Sequence, residues 1–258
     1  MRALIAVAFA LAAVPAWAYR QQAVVCLEHG HAVARDAAHA PQSCTPFDPN
    51  ALHARAAKGD AKALDALLAV AEQTRLLPPL RVSAAQALAW PKGRPLPEAL
   101  KARAIRLFAS TRAPFKMLAN VAAFLQRFSD LHAPDPALLP GLARRLIRAE
   151  TCPLAAQLLA EHGETGRRAM LDAWFTAQRS DLVTQCVERA IGRNVLSIAD
   201  ILVQRAKASD NAVLRMRAVN WLALAGPEAK AAIAAFADDP DARVRRLVEG
   251  YLAKEGGR

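Results

Sequence analysis

Apolar residues recur at helical spacing through most of the chain, from residue 51 onward. Turn-forming residues, mainly glycine and proline, interrupt this pattern about every 10 to 20 residues. Between the interruptions, apolar side chains stand three or four positions apart, which places them on one face of an α-helix. One such face comprises Leu96, Leu100, Ala104, Leu107 and Phe108. The pattern therefore predicts an all-α region over residues 51–258.

Residues 19–50 show a different pattern. The segment 22–27 is rich in β-forming residues, and 28–31 is suited to turn the chain back into 32–34. This arrangement predicts a small β-hairpin. We therefore expect a separate N-terminal element over 19–50, followed by the helical domain.

One spacing occurs three times in the helical region. An apolar residue is followed directly by arginine, then by a small or apolar residue at the fifth position and leucine at the ninth, starting at Leu80, Leu214 and Val244. The first, fifth and ninth positions stack on one face of a helix. A small residue in the middle lets another helix approach, and glycine four residues later, as at Gly226, ends the helix.

This spacing resembles that of the HEAT-repeat family in its short bacterial form, most clearly over 209–256 and also over 60–90. The resemblance implies a solenoid of antiparallel helix pairs, because one pair cannot bury its apolar face alone. In the family, the motif arginine and a turn aspartate form a ladder between repeats. That structural role would fall to Arg81, Arg215, Arg245, Asp210 and Asp241. HEAT proteins are mostly binding scaffolds, so the resemblance also favours interaction over catalysis.

The first 18 residues have the layout of a cleaved secretory signal. Arg2 precedes an apolar run over 3–14, Pro15 breaks the run, and 16–18 is Ala-Trp-Ala. An uncleaved anchor is the alternative, but a membrane span needs about 20 apolar residues. We expect cleavage after Ala18, a periplasmic or secreted protein, and no transmembrane segment in the mature chain.

Export changes how the four cysteines are interpreted. In an oxidising compartment they indicate two disulfides. Three pairings are formally available. Cys26–Cys44 and Cys152–Cys186 are favoured because each closes a short loop.

The chain is basic, with a formal net charge of +11. Outside the cytoplasm we expect no nucleic-acid partner; an acidic protein, acidic glycan or anionic lipid is the better candidate. A simply solvated basic surface is the alternative. The densest basic clusters comprise Arg144, Arg145, Arg148, Arg167, Arg168, Arg243 and Arg246. They would form one basic wall if their helices align.

Motifs for catalysis or cofactor binding are not found. The sequence contains no nucleophile elbow, phosphate loop or dinucleotide fingerprint. A zinc or copper site is conceivable only at the N-terminal Cys/His cluster of Cys26, His29, His31, His39 and Cys44. That cluster lacks a paired Cys-x2-Cys framework, so we expect no metal and no cofactor.

The leading hypothesis is therefore an exported, non-enzymatic scaffold. It would bind a protein partner through the concave face of a HEAT-like solenoid. The alternatives are a basic module that binds acidic glycan or lipid of the envelope, and a metal-binding protein or enzyme that uses the N-terminal Cys/His cluster.

Overall fold

Helices predominate in the computed structural model, which describes residues 23–28, 31–41, 43–133, 135–176, 185–189 and 192–255. A small antiparallel sheet precedes the helices, and alanines of the sheet join the helical side chains in one hydrophobic core cluster. The predicted helical class is thus confirmed. The predicted signal peptide, 1–18, lies outside the described residues.

The sheet has three strands in the order β2-β1-β3. They are β1 Ala23–Glu28, β2 His31–Asp36 and β3 Thr45–Pro46. In the β1–β2 pair, Ala23 lies opposite Asp36 and Glu28 opposite His31. The predicted hairpin is confirmed. The short strand β3 was not predicted, since two residues carry no alternation of apolar and polar positions.

The helices follow one another with short connections. They are α1 Pro49–Ala56, α2 Ala61–Glu72, α3 Pro78–Gln86, α4 Glu98–Ala109, α5 Phe115–Leu125, α6 Leu139–Arg145, α7 Cys152–Ala160, α8 Gly163–Thr176, α9 Ala199–Lys207, α10 Ala212–Leu224, α11 Lys230–Ala234 and α12 Ala242–Glu255. Residues 185–189 are also helical. Short 3-10 helices lie at Ala37–His39, Pro136–Leu138, Gly192–Ile198 and Pro227–Ala229.

Local sequence accounts for where helices start and stop. The Asp60 carboxylate caps α2 by accepting hydrogen bonds from the backbone N–H groups of Lys62 and Ala63. Gly226, with φ of +88°, follows α10 in the left-handed region that favours glycine. After Gly226 the helical pattern of apolar residues continues, but the α-helix is short. A 3-10 turn at Pro227 leads only to the five-residue α11.

Helix contacts form two series along the described part of the chain. One series links α2 to α4, α4 to α6, α6 to α8, α8 to α9 and α9 to α11. A second series links α3 to α5 and α10 to α12. Sequential neighbours such as α6 and α7, α7 and α8, and α9 and α10 also pack together. None of the helices in the described part of the chain combines the length and apolar character needed to cross a membrane.

The sheet is fastened to α2 by polar contacts. The backbone N–H of Ala32 donates to Asp65 Oδ2 at 2.7 Å, and Gln73 Nε2 donates to the carbonyl of Ala34 at 3.0 Å. On α4, Arg103 pairs with both Asp65 and Glu72. Burial alone would lower the pKa of Arg103, but the bonds to these two carboxylates outweigh it and raise the pKa. Asp65 thus links the sheet, through a backbone hydrogen bond, to the ion pairs between α2 and α4.

Candidate functional site: a groove on α6, α8 and α9

An apolar hollow of about 390 Å³ lies on the surface between α6 and α8. Its lining side chains are mostly short and apolar: Leu139, Pro140, Ala143, Arg144, Ile147, Ala169, Asp172 and Ala173. Ile147 is 51 % exposed, although removal of such a side chain from water is favourable. The hollow therefore offers apolar area that this fold leaves partly in contact with solvent.

A second hollow of about 450 Å³ lies on α8 and α9. It is lined by Arg168, Asp172, Ile201, Gln204, Arg205 and Ala208. Asp172 belongs to both hollows, and Arg205 pairs with it at 2.7 Å. We refer to the two hollows together as the α6–α8–α9 groove.

The sequence spacing explains the shape of the groove. Pro140, Ala143 and Arg144 follow the i, i+3, i+4 pattern that places them on one face of α6, and Ile147 lies in the turn that follows the helix. Ala169 and Ala173 are likewise one turn apart on α8. Because alanine side chains are short, the space between these two faces is not filled.

Two members of the predicted basic surface line this groove. Arg144 is exposed beside Ile147, and Arg168 is held by an ion pair with Glu164 one turn earlier on α8. Arg148 is also exposed, and its guanidinium stands 5.0 Å from the ring centre of Phe115. The hollow between α6 and α8 therefore has an apolar floor with a cationic side chain at its edge, whereas the hollow on α8 and α9 is lined mainly by polar side chains.

Arg145 does not belong to that surface, so its prediction as a surface residue was wrong. Its Nε donates to the carbonyl of Phe108 at 3.1 Å, and Nη2 donates to the carbonyl of Ser110, at the end of α4. Burial, followed by the nearby charge of Arg144, lowers the pKa of Arg145. Adjacent helical positions point about 100° apart, so two neighbouring arginines serve different purposes.

The remaining predicted basic residues do not extend the groove. Arg167 is half-buried, and its Nε is buried without a hydrogen-bond partner among the described residues. Arg243 and Arg246 lie on α12, which packs mainly on α10 and α11. Arg243 pairs with Asp241, which raises the pKa of Arg243 and lowers that of Asp241. The predicted single basic wall is therefore divided between two regions of the molecule.

The predicted repeat ladder has a different acidic residue. Arg215 is buried and binds both carboxylate oxygens of Asp239, with Nε–Oδ2 at 2.8 Å and Nη2–Oδ1 at 3.0 Å. Neither of the predicted partners, Asp210 and Asp241, is the carboxylate that binds Arg215. Asp210 is exposed, and Asp241 caps α12 through the backbone N–H of Arg243 at 2.8 Å. The Asp241 carboxylate is engaged in capping α12, and Asp239, two residues earlier, is the carboxylate that binds Arg215.

All three motif arginines bind backbone carbonyls that precede them. Arg81 Nε donates to Ala71 at 2.9 Å, Arg215 Nη1 to Ser209 at 2.7 Å, and Arg245 Nη1 to Asp239 at 2.6 Å. Burial lowers the pKa of Arg81. These contacts join each motif helix to the segment before it. The three arginines therefore have a structural role.

Both favoured disulfides are present, Cys26–Cys44 and Cys152–Cys186. The first removes two of the five candidate ligands of the N-terminal Cys/His cluster. His29 lies outside the described residues. Within the described ranges, no group of three or more His, Cys, Asp or Glu side chains is placed to hold a metal ion.

Sequence reasoning missed several residues of the groove. Ile147, Ile201 and Arg205 continue ordinary helical periodicity, so nothing in the sequence separates them from core or solvated positions. Asp239 was visible as part of the acidic turn 238–241, but the sequence does not show which carboxylate of that turn faces α10.

The comparisons with known proteins leave family and activity open. No protein-family model and no curated protein matches the chain. Among solved structures, the chain is similar to human deoxyhypusine hydroxylase in complex with glycerol, at 20% identity. The match covers 81% of this chain and 79% of that chain, with a TM-score of 0.29. A TM-score this low supports no statement about a shared fold or a shared function.

Proposed function

We propose that the protein is an exported scaffold that binds a protein partner through the α6–α8–α9 groove. The observation that carries the proposal is the apolar floor of the groove, with Ile147 half-exposed beside the exposed Arg144. Partly exposed apolar patches with polar rims are typical of interaction sites. The one carboxylate in the lining, Asp172, is engaged by Arg205, so the groove favours binding over catalysis.

The architecture we propose is a HEAT-like solenoid. Support comes from the two contact series, in which helices pack on the next member of their own layer as well as on their sequence neighbours. The motif arginines add contacts between successive segments, including the buried Arg215–Asp239 pair. In such an array the α6–α8–α9 groove lies along one layer of stacked helices.

An exported location agrees with the cysteine chemistry. The two disulfides engage all cysteines of the chain, and such bonds persist in oxidising compartments. We propose the periplasm or the extracellular space, reached through the signal peptide predicted over 1–18.

The groove also indicates what the partner presents. Its short floor side chains, Ala143, Ala169 and Ala173, leave space for one or two large apolar side chains. The exposed Arg144 at the edge favours an acidic residue beside this anchor, whereas Arg168 is already paired with Glu164. We therefore propose a protein segment that carries an apolar anchor with a neighbouring carboxylate.

The test is capture of a partner from envelope extracts at moderate salt, with wild-type protein and two single variants. Ile147→Glu places a charge in the groove and should abolish capture. Leu224→Glu, at the 77 % exposed end of α10, is the matched control and should capture as wild type does. Arg144→Glu should weaken capture by repelling acidic partner residues. Equal capture by wild type and Ile147→Glu, with both variants folded by circular dichroism, would contradict the proposed site.

A further inference from the structure

We infer that a second hollow, separate from the α6–α8–α9 groove, binds a phosphate group. It lies between the loop that follows α3 and the segment that follows α5, and its volume is about 250 Å³. A water molecule occupies about 30 Å³ in the liquid, so a phosphate fits together with part of the molecule that carries it. The cationic side chains of its lining are Lys92, Arg94 and Arg127.

Trp90 is buried next to this hollow and contacts the side chains and loop that line it. Its side chain is only 3 % exposed, and its Nε1 donates to the carbonyl of Pro95 at 3.2 Å, which holds the loop 90–95 closed. Its own carbonyl accepts a hydrogen bond from Arg127 Nη2 at 3.0 Å. The guanidinium of Arg94 stands 5.6 Å from the Trp90 ring centre. One buried residue thus positions both arginines.

Gly59 fixes Arg94 from another side. A Cβ built on Gly59 would lie 2.1 Å from Arg94 Nη1, so the guanidinium occupies the space that a side chain would need. The φ of Gly59 is +89°, a conformation that also favours glycine. Arg94 is therefore held against Gly59 and the Trp90 ring. A cation that is already in place loses less conformational freedom when an anion binds.

Neither Arg94 nor Arg127 forms an ion pair with any of the residues that the structure describes. Among residues 43–133, all of which are described, the lysines and arginines that form ion pairs are Arg55, Lys101 and Arg103. The one carboxylate in the lining, Asp130, is bound to Lys101 Nζ at 2.6 Å. The hollow therefore keeps an excess of positive charge that a bound anion would balance.

The number and type of the cations favour phosphate. Arginine presents a planar fork of N–H donors that matches the oxygens of phosphate and carboxylate. Arg127 uses one of its five donors on Trp90, and Lys92 adds a third cation from the loop. A tetrahedral phosphate offers oxygens in several directions to such a set, whereas a carboxylate offers two in one plane.

Isothermal titration calorimetry with inorganic phosphate at low salt tests the inference. Wild type should bind at one site, with affinity that falls as salt rises to about 0.15 M. Arg94→Gln and Arg127→Gln keep much of the side-chain stem and should each weaken binding by about tenfold or more. Arg112→Gln, an exposed arginine outside the hollow, is the matched control. No binding by wild type, or equal binding by Arg94→Gln and wild type, would overturn the inference.

A second experiment, binding to lipid vesicles, identifies the source of the phosphate group. Vesicles containing phosphatidic acid should retain wild type and Arg112→Gln more strongly than Arg94→Gln if the group belongs to a lipid. Equal retention of all three proteins, together with phosphate binding in the calorimeter that Arg94→Gln weakens, assigns the hollow to a soluble phosphate compound. The α6–α8–α9 groove variant Ile147→Glu should bind phosphate as wild type does, so the two sites are tested independently.

Discussion

Arg215 and Asp239 show at the residue scale why the motif arginine is buried. Their side chains are 7 % and 3 % exposed, and the pair joins α10 to the turn before α12. Asp239 also accepts the backbone N–H of Asp241 at 2.9 Å. The guanidinium is therefore compensated by a carboxylate that is itself held in position. Loss of one partner would leave a buried charge unpaired.

Asp239→Ala should lower the free energy of unfolding by about 3–5 kcal/mol, the usual cost of breaking one half of a buried ion pair. Urea denaturation followed by circular dichroism measures this change. Asp210→Ala removes an exposed carboxylate and should change stability by less than about 0.5 kcal/mol. The opposite ranking would restore Asp210 as the partner of Arg215.

At the scale of the helix, two adjacent arginines of α6 have different roles. Arg145 donates to carbonyls at the end of α4, where helical carbonyls lack partners within their own helix. Arg144 is exposed at the groove. Because neighbouring helical positions point in different directions, Arg145 stabilises the fold while Arg144 is free to contact the proposed partner.

Arg145→Gln should destabilise the protein by about 1–3 kcal/mol, because two carbonyls lose a charged donor. Arg144→Gln should alter stability by less than about 0.5 kcal/mol and instead reduce capture of the partner. Thermal unfolding of both variants gives the comparison. Equal loss of stability in the two variants would place both side chains in structural contacts.

The disulfides also act at the scale of elements. Cys152–Cys186 ties the start of α7 to the helical segment 185–189, and the two cysteines are 34 positions apart in sequence. The double variant Cys152→Ser, Cys186→Ser should lose about 3–4 kcal/mol, because the unfolded chain regains the freedom of that loop. Denaturation with and without a reducing agent measures it. A variant as stable as the oxidised wild type would show that the bond contributes little.

At the scale of the whole molecule, the proposed solenoid has a measurable shape. A compact chain of this length has a radius of gyration of about 18 Å. Stacked helix pairs form a more extended body, so small-angle X-ray scattering of the monomer should give a clearly larger value. A value near that of a compact chain would contradict the solenoid while leaving the helical class intact.

The sequence by itself determined the features that depend on local order along the chain. Apolar spacing is set by the helix period, so the buried face of Leu100, Ala104, Leu107 and Phe108 on α4 could be identified from the sequence, as could the hairpin before residue 40. Leu96, predicted on the same face, is buried but lies before the helix begins. Loop length favoured the two disulfide pairs that are present, and a spacing that occurs three times in the sequence drew attention to the motif arginines.

Only the tertiary structure decided which of several equivalent side chains meets which partner. Arg144 and Arg145 cannot be distinguished from the sequence, and neither can Asp239 and Asp241. Within each pair the two residues differ in the groups that they contact in the fold. The half-exposed Ile147, and the two arginines positioned by Trp90, arise where loops and helices distant in sequence come together. Local periodicity contains no information about such contacts, because they depend on how complete elements pack.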